Sequence, residues 1–408
     1  MALIVQKYGG TSVADIDRIR NVARRALAAQ QAGNRIVVVV SAMSGETNRL
    51  LKLVNQASPR PDEREQDVVA ATGEQVTIGL TALAIQSLGG KARSFTGPQV
   101  RILTDSAFSK ARIQSIDKER LSQALDKGEI AVVAGFQGED ADGNITTLGR
   151  GGSDTTAVAV AAAINADACE IYTDVDGVYT TDPNIVPEAR KLDRISYEEM
   201  LELAGAGAKV LQIRSVEFAM KYAVPLWVKS SFTQDPGTLV CPEDEEMEHL
   251  VVSGIAYDKS EAKVAIRGVA DKPGVASRVF KPLADANIIV DLIVQNVGVH
   301  GKTDMTFTVP KTDLPKALEI VKKVMDEVGA EKVEADEHIA KVSIVGVGMR
   351  NHAGVAAKAF DVLAAAGINI EMISTSEIKV SMVIAQKFME LAVRELHTAF
   401  GLDAPPAK

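Results

Sequence analysis

The chain has 408 residues, enough for two or three domains, and its net charge of −9 offers no basic surface for nucleic acid. No apolar run approaches the ~20 residues that span a bilayer, and residues 1–5 are too few for the apolar core of a signal peptide. Two cysteines, Cys169 and Cys241, cannot form a disulfide framework. We therefore expect a cytoplasmic protein without nucleic-acid or membrane partners.

The first predicted elements are a strand, a glycine turn and a helix. Residues 2–6 form the strand, the turn is Lys7-Tyr8-Gly9-Gly10-Thr11-Ser12, and apolar residues at helical spacing begin at Ile16. Residues 35–40 form a second, buried strand. A lysine at the end of a strand can reach a bound phosphate as a point charge. A purely structural turn explains the same pattern, so this motif alone does not decide the function.

Polar residues follow the second strand, at a position where open α/β sheets bind ligands. The run is Ser41-Ala42-Met43-Ser44-Gly45-Glu46-Thr47, and capping of the next helix explains its hydroxyl groups equally well. A helix predicted over about 66–88 contains Gly73 and Glu74. Because glycine inside a helix costs about 1 kcal/mol relative to alanine, we expect a close approach or a required carboxylate there. A solvated glutamate is the alternative.

A stretch rich in glycine follows a predicted hairpin at Asp142-Gly143. It reads Leu148-Gly149-Arg150-Gly151-Gly152-Ser153-Asp154 and leads into the apolar run 157–166. This pattern predicts a turn at the start of a buried helix, capped by Ser153 or Asp154. The free N–H groups of a helix N-terminus suit an anion, although an ordinary helix cap has the same sequence.

The middle of the chain continues the alternation of strands and helices. Residues 169–172 form a strand that ends in a turn rich in hydroxyls and carboxylates, 173–183, and a strand over 226–229 closes the unit near residue 240. Such alternation predicts a mainly parallel sheet covered by helices on both faces. Residues 241–249 carry five acidic residues and predict a solvated linker.

The last part of the chain contains an internal repeat. Residues 263–269 match 341–347, and the turn at Gly274 matches the turn at Gly354. Each copy reads strand, glycine turn, helix, strand, so that two copies can cover each other's apolar faces. Neither copy concentrates catalytic residue types, which indicates a sensor or an interface.

Three motifs in this order, together with the repeat, resemble the aspartate kinase family over essentially the whole chain. They are K-Y-G-G-T-S at 7–12, T-L-G-R-G-G-S-D at 147–154 and T-D-V-D-G-V-Y-T-T-D-P at 173–183, and the repeats resemble paired ACT domains. The resemblance implies an amino-acid-kinase fold over 1–240, which is an open, mainly parallel α/β sheet with helices on both faces. It further implies a linker at 241–249 and a regulatory region at 250–408, with two ferredoxin-like βαββαβ ACT domains at about 263–335 and 341–408.

The chemistry implied by the resemblance is the phosphorylation of the β-carboxylate of L-aspartate by ATP, which gives 4-phospho-L-aspartate. This is the first step in the biosynthesis of lysine, threonine and methionine. All five histidines lie beyond residue 248, so chemistry in the first 240 residues uses no imidazole base. None is needed, because a carboxylate of pKa ~3.9 is already deprotonated at neutral pH. Catalysis then reduces to alignment and to neutralisation of phosphate charge.

The family motifs imply roles for particular residues. Lys7 and the Gly9-Gly10 amides hold the transferring phosphate, Asp154 orients Lys7, Arg150 clamps a substrate carboxylate, and Glu74 receives the substrate ammonium. The implied aspartate-binding set is Ser41, Thr47, Glu74, Arg150, Gly151, Gly152 and Ser153. The implied ATP-binding set is Lys7, Tyr8, Gly9, Gly10, Ser41, Thr173, Asp174, Tyr179, Asp182 and Lys209. No protein metal ligand is implied, since Mg²⁺ is held through the ATP phosphates.

The resemblance is closest to the bacterial subgroup that is inhibited by lysine and threonine. Effectors are then expected at the glycine turns of the repeats, where helix N–H groups meet a carboxylate and Asp291 or Glu371 meets an ammonium. The candidate residues are Asp271, Gly274, Ala276, Asp291 and Gln295 in the first copy and Asn369, Ile370, Ser376 and Glu377 in the second. The turn His352-Ala353-Gly354 has alanine where the family commonly has proline.

The expected assembly is a homo-oligomer, or an α2β2 complex with an ACT-only subunit that starts near Met247; an ordinary linker methionine is the alternative. Expression of the gene with Met247→Leu distinguishes the two, because persistence of the same small co-purifying chain would rule out an internal start at Met247. Two other functions stay open. The first is that of another enzyme of the amino-acid-kinase fold, acting on glutamate, acetylglutamate or a nucleotide. The second is that of a non-catalytic amino-acid sensor. The presence of Lys7, Arg150 and Asp154 argues against the sensor.

Overall fold

The structure is a computed structural model and describes residues 1–208, 210–244, 247, 250–296 and 301–404. The chain divides into two compact units. The first unit comprises Met1–Tyr179, Lys191–Gly205 and Lys209–Met247. The second unit comprises Thr180–Arg190, Ala206–Ala208 and Glu248–Lys408.

The first unit is an α/β structure. Its helices are α1 (Ile16–Gln31), α2 (Glu46–Ala57), α3 (Glu63–Ala70), α4 (Thr72–Ser87), α5 (Glu119–Asp126), α6 (Gly152–Ala163), α7 (Tyr197–Gly205) and α8 (Ile213–Tyr222). Its strands are β1 (Leu3–Tyr8), β2 (Arg35–Val40), β3 (Ala92–Phe95), β4 (Ile102–Thr104), β5 (Ile113–Ile116), β6 (Ile130–Ala134), β7 (Gln137–Glu139), β8 (Ile145–Thr147), β9 (Ala168–Thr173), β10 (Val178–Tyr179), β11 (Lys191–Leu192), β12 (Arg194–Ser196), β13 (Leu226–Ser230) and β14 (Thr238–Cys241).

The central sheet of this unit has eight strands in the order β12-β14-β13-β9-β1-β2-β6-β3. The pairs from β13 to β3 are all parallel, and β14 joins β13 antiparallel. Buried parallel strands are expected to be apolar on both faces. In β2, Ile36, Val38 and Val40 pack with α1 and α4, whereas Val37 and Val39 are buried on the opposite face. The predicted fold class is thereby confirmed.

Register places the end of β1 at the centre of the sheet. Lys7 lies opposite Val39 of β2 and Ile171 of β9, so the carboxyl ends of three parallel strands meet there. The hairpin expected at Asp142-Gly143 is present, because β7 and β8 pair antiparallel across it. These strands belong to a separate four-stranded sheet of order β5-β4-β7-β8.

Two local expectations are wrong. The helix predicted over 66–88 is two helices, and they meet at Ala71, whose carbonyl accepts a hydrogen bond from Gln137 Nε2 at 2.8 Å. The helix expected to be capped by Ser153 or Asp154 begins two to three residues earlier. Its N-cap is Gly151, which adopts φ 69°, a left-handed conformation that glycine adopts without steric cost.

The second unit contains two antiparallel four-stranded sheets. Its helices are α9 (Val275–Asp285), α10 (Leu314–Val328), α11 (Val355–Ala365) and α12 (Met389–Ala399). Its strands are β15 (Gly254–Asp258), β16 (Glu261–Ala270), β17 (Ile293–Gln295), β18 (Lys302–Pro310), β19 (Lys332–Asp336), β20 (Ile339–Val345), β21 (Ile370–Thr375) and β22 (Lys379–Ala385). The first copy of the repeat runs βαββαβ from β16 to β19, in the sheet order β17-β18-β16-β19.

The second copy differs from the predicted βαββαβ order in one respect. Its sheet is β15-β20-β22-β21, so the edge strand beside β20 comes from Gly254–Asp258, which precedes the first copy in the chain. The pattern over 341–408 provides three strands and two helices, and the fourth strand is recruited from a distant segment. The first copy is consequently inserted between β15 and the rest of the second.

Two reciprocal ion pairs join the copies. Lys263 of the first copy pairs with Glu371 of the second, and Lys341 of the second pairs with Asp291 of the first. The lysines occupy equivalent positions in the repeat, and so do the carboxylates. A small apolar cluster formed by Leu292, Ile339, Met372 and Val383 also packs between the copies. The sequence-matched positions are thus related by an approximate two-fold arrangement.

Two further segments bear on the sequence-based expectations. Within the described part of the chain, α3 and α4 taken together, Glu63–Ser87, meet the length and composition of a membrane span, but half of the 18-residue apolar window in this stretch is buried in the protein, as in many core helices. The predicted solvated linker 241–249 includes two buried side chains, Cys241 at the end of β14 and Met247. Residues 245, 246, 248 and 249 of this linker lie outside the described residues.

Candidate active site

A cavity of about 640 Å³ opens at the carboxyl ends of β1 and β2 in the first unit. Its wall combines the two glycine-rich turns, the start of α2, and parts of α3 and α4. Predicted site residues in the wall are Lys7, Gly9, Gly10, Ser41, Thr47, Glu74, Arg150, Gly151, Gly152, Ser153, Asp154 and Thr173. The fold therefore brings together motifs that are separated by up to 166 residues in the chain.

A buried ion pair lies at the base of this cavity. Lys7 Nζ is 2.5 Å from Asp154 Oδ1, and each side chain is about one-tenth exposed. Lys7 is the penultimate residue of the central strand, and Asp154 lies in the first turn of α6. A carboxylate so close to an ammonium fixes its direction, and its negative charge offsets the cost of burying the lysine. The arrangement aims a positive charge into the cavity.

The first glycine turn brings backbone close to this lysine. A Cβ atom on Gly9 would lie 3.3 Å from Lys7 Nζ, and one on Gly10 would lie 3.2 Å from the Ala42 carbonyl oxygen. Glycine therefore keeps the backbone beside Lys7 free of side chains. The Tyr8 side chain lies on the opposite face of β1, since neighbouring residues of a strand alternate. Its ring stacks on Tyr172 with 4.7 Å between the centroids, so it does not line the cavity.

Glu74 lines the cavity and carries a buried carboxylate that is incompletely hydrogen-bonded. The side chain is 2% exposed, and Oε1 accepts a hydrogen bond from the Ala42 N–H at 3.0 Å. Oε2 has no hydrogen-bond partner among the described residues. Burial raises the pKa of this carboxyl to about 7. Gly73 permits the arrangement, because a Cβ there would lie 2.8 Å from the Ala42 Cβ.

The second glycine turn presents Arg150 at the cavity wall. The arginine is exposed, and the flanking Gly149 and Gly151 both adopt positive φ. A Cβ on Gly151 would lie 1.7 Å from Gln212 Cγ, so only glycine fits. The helix α6 begins directly after this turn, and its first residues Gly152 and Ser153 also line the cavity. An arginine beside a helix N-terminus suits a carboxylate.

The predicted nucleotide residues are spread more widely. Thr173 lines the cavity and donates a hydrogen bond to Asp174 Oδ1 at 3.1 Å, whereas Asp174 and Tyr179 do not line it. Asp182 belongs to the second unit, where its carboxylate accepts hydrogen bonds from the Tyr257 hydroxyl at 2.8 Å and from the Asn184 N–H. Lys209 lies outside the described residues.

Several wall residues were not predicted from the sequence. They include Thr11, Asn48, Gln66, Asp67, Ser109 and Thr147. Asp67 is the one carboxylate in this group; it is buried and accepts hydrogen bonds from the loop residue Ser109 and from Thr147. Nothing in the pattern of α3 distinguishes Asp67 from its acidic neighbours Glu63 and Glu65. Its role depends on contacts made 42 and 80 residues away.

The predicted effector residues lie at the expected turns and strands of the second unit. Gly274 is the left-handed N-cap of α9, with Asp271 exposed before it, and Glu377 lies 3.7 Å from Arg350 Nε. Asp291 and Glu371 are engaged by the lysines of the other copy. The remaining candidates, Ala276, Gln295, Asn369, Ile370 and Ser376, lie on or beside α9, β17, β21 and the turn after β21. A separate cavity of about 610 Å³ lies at His352-Ala353-Gly354 and includes none of the candidates.

Comparison with known proteins places this geometry in a family. A model of the amino acid kinase family matches residues 2–230, and a model of the ACT domain matches residues 264–325 and 342–400. The chain is 60% identical over 407 residues to an aspartokinase of Pseudomonas aeruginosa, with 99% of each chain covered.

Two solved structures of E. coli aspartokinase III are similar over nearly full length, each at 27% identity. The complex with aspartate and ADP in the R-state has a TM-score of 0.83 and covers 97% of this chain and 99% of that one. The complex with lysine and aspartate in the T-state has a TM-score of 0.77, with 98% and 99% covered. Since the kinase-family match spans more than half of the sequence and full-length identity to an aspartokinase reaches 60%, this chain belongs to the aspartokinase family and is a kinase.

Proposed function

We propose that this chain transfers the γ-phosphoryl group of ATP to the β-carboxylate of L-aspartate and so forms 4-phospho-L-aspartate. The observation that carries the proposal is the pairing, in one cavity, of a buried Lys7–Asp154 ion pair with the unpartnered carboxylate oxygen of Glu74. A positive centre for a phosphate and a negative centre for an ammonium are the two charges that a phosphorylated amino acid requires. The complex of the E. coli relative with aspartate and ADP supports the same pairing of substrates.

The aspartate is proposed to lie between Glu74 and the Arg150 turn. Glu74 Oε2 receives the ammonium, Arg150 holds a carboxylate in a bidentate pair, and the first amides of α6 at Gly152 and Ser153 donate to the substrate. The hydroxyls of Ser41 and Thr47, which line the same cavity, add donors. The β-carboxylate needs no base because it is ionised at neutral pH.

ATP is proposed to place its phosphates over Lys7 and the Gly9-Gly10 turn, with its remaining part toward Thr173. Asp154 is already paired with Lys7. Mg²⁺ would therefore be held by oxygen ligands from the ATP phosphates and from water. When bound there, Mg²⁺ supplies positive charge that offsets the charge of the transferring group. The assignments of Tyr8, Asp174, Tyr179, Asp182 and Lys209 to the nucleotide remain predictions.

The acceptor can be tested directly. With aspartate as the acceptor, ADP release should be substantial. When glutamate replaces aspartate, ADP release should fall close to the rate measured without any acceptor.

Arg150→Ala should raise the KM for aspartate about ten- to a hundredfold, because a charged, bidentate hydrogen bond of about 1.5–3 kcal/mol is lost. Equal turnover with glutamate would support another acceptor for the same fold, and no turnover with either would support a sensor.

Feedback inhibition by lysine and threonine together is proposed for the second unit. The supporting features are the paired ACT copies, the glycine turns that open α9 and α11, and the complex of the E. coli relative with lysine. Inhibition requires that each effector binds the inactive arrangement more tightly than the active one. Asp291 and Glu371 are paired with Lys341 and Lys263 of the other copy, so an effector ammonium at either carboxylate has to replace that side chain.

Lysine and threonine added together should inhibit more than the product of their separate effects, since both stabilise one inactive state. Asp271→Ala should relieve this inhibition and leave the uninhibited kcat unchanged. Asp285→Ala is a matched control, because Asp285 is an exposed aspartate at the other end of α9. Titrations of activity with each amino acid and with both provide the measurement. Full activity in the presence of millimolar amounts of the pair would leave the second unit without this role.

The biological setting follows from the proposed reaction and effectors. We propose a cytoplasmic enzyme that begins the synthesis of lysine, threonine and methionine. Both cysteines are free and buried, which supports a reducing compartment. A homo-oligomer, or an α2β2 assembly with a subunit starting near Met247, remains the proposed state.

A further inference from the structure

Asp67 is a buried carboxylate whose hydrogen bonds hold two distant segments together. The side chain is 1% exposed on α3. Its Oδ2 accepts from the backbone N–H of Ser109 at 2.9 Å and of Thr147 at 2.8 Å. Its Oδ1 accepts from the Thr147 hydroxyl at 2.7 Å and from the Ser109 hydroxyl at 3.4 Å. All four donors are uncharged groups, and they come from only two residues.

Arg214 of α8 connects the same two segments from another side. Its Nη1 donates to the Leu148 carbonyl oxygen at 2.7 Å and its Nη2 to the Ala111 carbonyl oxygen at 2.9 Å. Burial lowers the pKa of this guanidinium, with a smaller contribution from the charge of Arg112. The planar fork of arginine suits two carbonyls at once, which lysine cannot match.

Together these side chains complete the backbone hydrogen bonding of Thr147 and Leu148. The Thr147 carbonyl accepts from the Ala111 N–H at 2.9 Å, and the Leu148 N–H donates to the Phe136 carbonyl at 2.9 Å. The other two groups, the Thr147 N–H and the Leu148 carbonyl, are satisfied by Asp67 and Arg214. Unpaired buried backbone groups are costly, so the position of both residues is fixed.

The fixed pair directly precedes the turn that carries Arg150. Gly149 adopts φ 76°, and a Cβ there would lie 3.0 Å from the Ser109 carbonyl oxygen, so the turn rests on the loop that Asp67 holds. Burying the Asp67 carboxylate, and partly burying the Arg214 guanidinium, is costly unless hydrogen bonds compensate for the lost hydration. Arg150 itself is exposed, and its direction depends on the backbone on which it stands.

We propose that Asp67 and Arg214 are positioning residues that fix the Arg150 turn at the aspartate end of the cavity. The inference rests on the proposed role of Arg150 in binding the substrate carboxylate. Neither residue needs to touch substrate. Both carboxylate oxygens of Asp67 accept hydrogen bonds from Ser109 and Thr147, and Arg214 donates to the carbonyls of Leu148 and Ala111. The action of Asp67 is transmitted through Thr147 and Leu148 to Arg150.

Asp67→Ala should raise the KM for aspartate about tenfold and leave the KM for ATP within about twofold, since a small misplacement of one substrate contact is enough for this loss. Asp67→Asn should restore the KM for aspartate to nearly the wild-type value. The amide oxygen can accept both backbone N–H groups while its NH₂ donates to both hydroxyls, which can act as acceptors. A charge contact with the substrate ammonium would instead make Asp67→Asn as harmful as Asp67→Ala.

Asp140→Ala is the matched control. Asp140 is also a buried aspartate of the first unit and accepts from loop N–H groups, at Asp142 and Asn144, but it does not line the cavity. This control should lower the thermal midpoint and leave both KM values unchanged. Arg214→Gln removes the fork from the other side and should reproduce the aspartate-specific effect, so the test does not depend on Asp67→Ala folding well.

A double-mutant cycle shows whether Asp67 affects aspartate binding through Arg150. In an Arg150→Ala background, Asp67→Ala should raise the KM for aspartate less than twofold further, because residues that act through one contact are not additive. Effects that multiply, or equal rises in both KM values, would overturn the inference. If Arg150→Ala raises the KM while Asp67→Ala and Arg214→Gln do not, the inference alone fails. If Arg150→Ala has no effect, the proposed role of Arg150 fails and the inference fails with it.

Discussion

Replacing Lys7 with alanine is expected to lower kcat about a hundred- to a thousandfold, with a much smaller rise in the KM for aspartate. The ammonium of Lys7 is aimed into the cavity by Asp154 at 2.5 Å, beside the Gly9-Gly10 turn. A preorganised charge contributes most while charge is moving in the transition state, and removal of one such donor costs about 10²–10³ in rate. Steady-state ADP release over a range of aspartate and ATP concentrations gives both parameters.

Lys229→Ala is a suitable control for this prediction. Lys229 lies on β13 of the same sheet and forms a similar ion pair, with Nζ 2.6 Å from Glu170 Oε1, but it does not line the cavity. Both substitutions remove the cation that pairs with a buried carboxylate, so both should lower the thermal midpoint. Only Lys7→Ala should lower kcat steeply. Near wild-type kcat in Lys7→Ala, or an equal loss in Lys229→Ala, would contradict the assigned role.

The elements that carry Lys7 and Asp154 could be predicted because their signals are local. A lysine at the end of an apolar strand, paired glycines and a following helical period occupy about thirty residues of sequence. The parallel sheet follows from the alternation of such segments, and the repeat follows from direct comparison of 263–269 with 341–347. In each case the residues that define the pattern are also the residues that form the element.

What could not be predicted depends on contacts between distant segments. The carbonyl at the Ala71 break accepts a hydrogen bond from Gln137, and a side chain on the N-cap Gly151 would collide with Gln212. Strand β15 completes a sheet whose other strands begin at Ile339, 81 residues after β15 ends at Asp258. Asp67 resembles any other acidic residue of a helix until its bonds to Ser109 and Thr147 are seen.

Glu74 is expected to make aspartate binding depend on pH near neutrality. Burial raises the pKa of its carboxyl to about 7, so a fall in pH from 8 to 6 protonates most of it in the ligand-free protein. An ammonium binds the charged form, so the KM for aspartate should rise about tenfold over this range. The KM for ATP should change little. Glu74→Gln should have a high KM for aspartate at both pH values and lose the pH dependence.

The raised pKa of Glu74 also predicts how this residue affects folding stability. Stability should fall as pH rises, whereas aspartate binding should improve. The folded pKa of about 7 lies above the ordinary 4.5, so between these values the folded protein binds more protons at Glu74 than the unfolded chain. Stability therefore falls as pH rises through this window, by roughly 3 kcal/mol at most from this group. Glu74→Gln should consequently raise the thermal midpoint of the ligand-free protein at pH 8 while it weakens aspartate binding.

Glu261→Gln separates the two consequences. Glu261 lies in the second unit, and burial also raises its pKa, so its replacement should stabilise the protein at pH 8 in the same direction. It does not line the cavity, and the KM for aspartate should be unchanged.

Thermal unfolding at pH 5 and pH 8, with and without aspartate, then tests the assignment of Glu74 as the ammonium site. Aspartate should stabilise wild type and Glu261→Gln but hardly stabilise Glu74→Gln, because the buried carboxylate gains its missing partner only when an ammonium arrives. A KM for aspartate that stays constant between pH 8 and pH 6 in wild type would show that Glu74 is not the ammonium site.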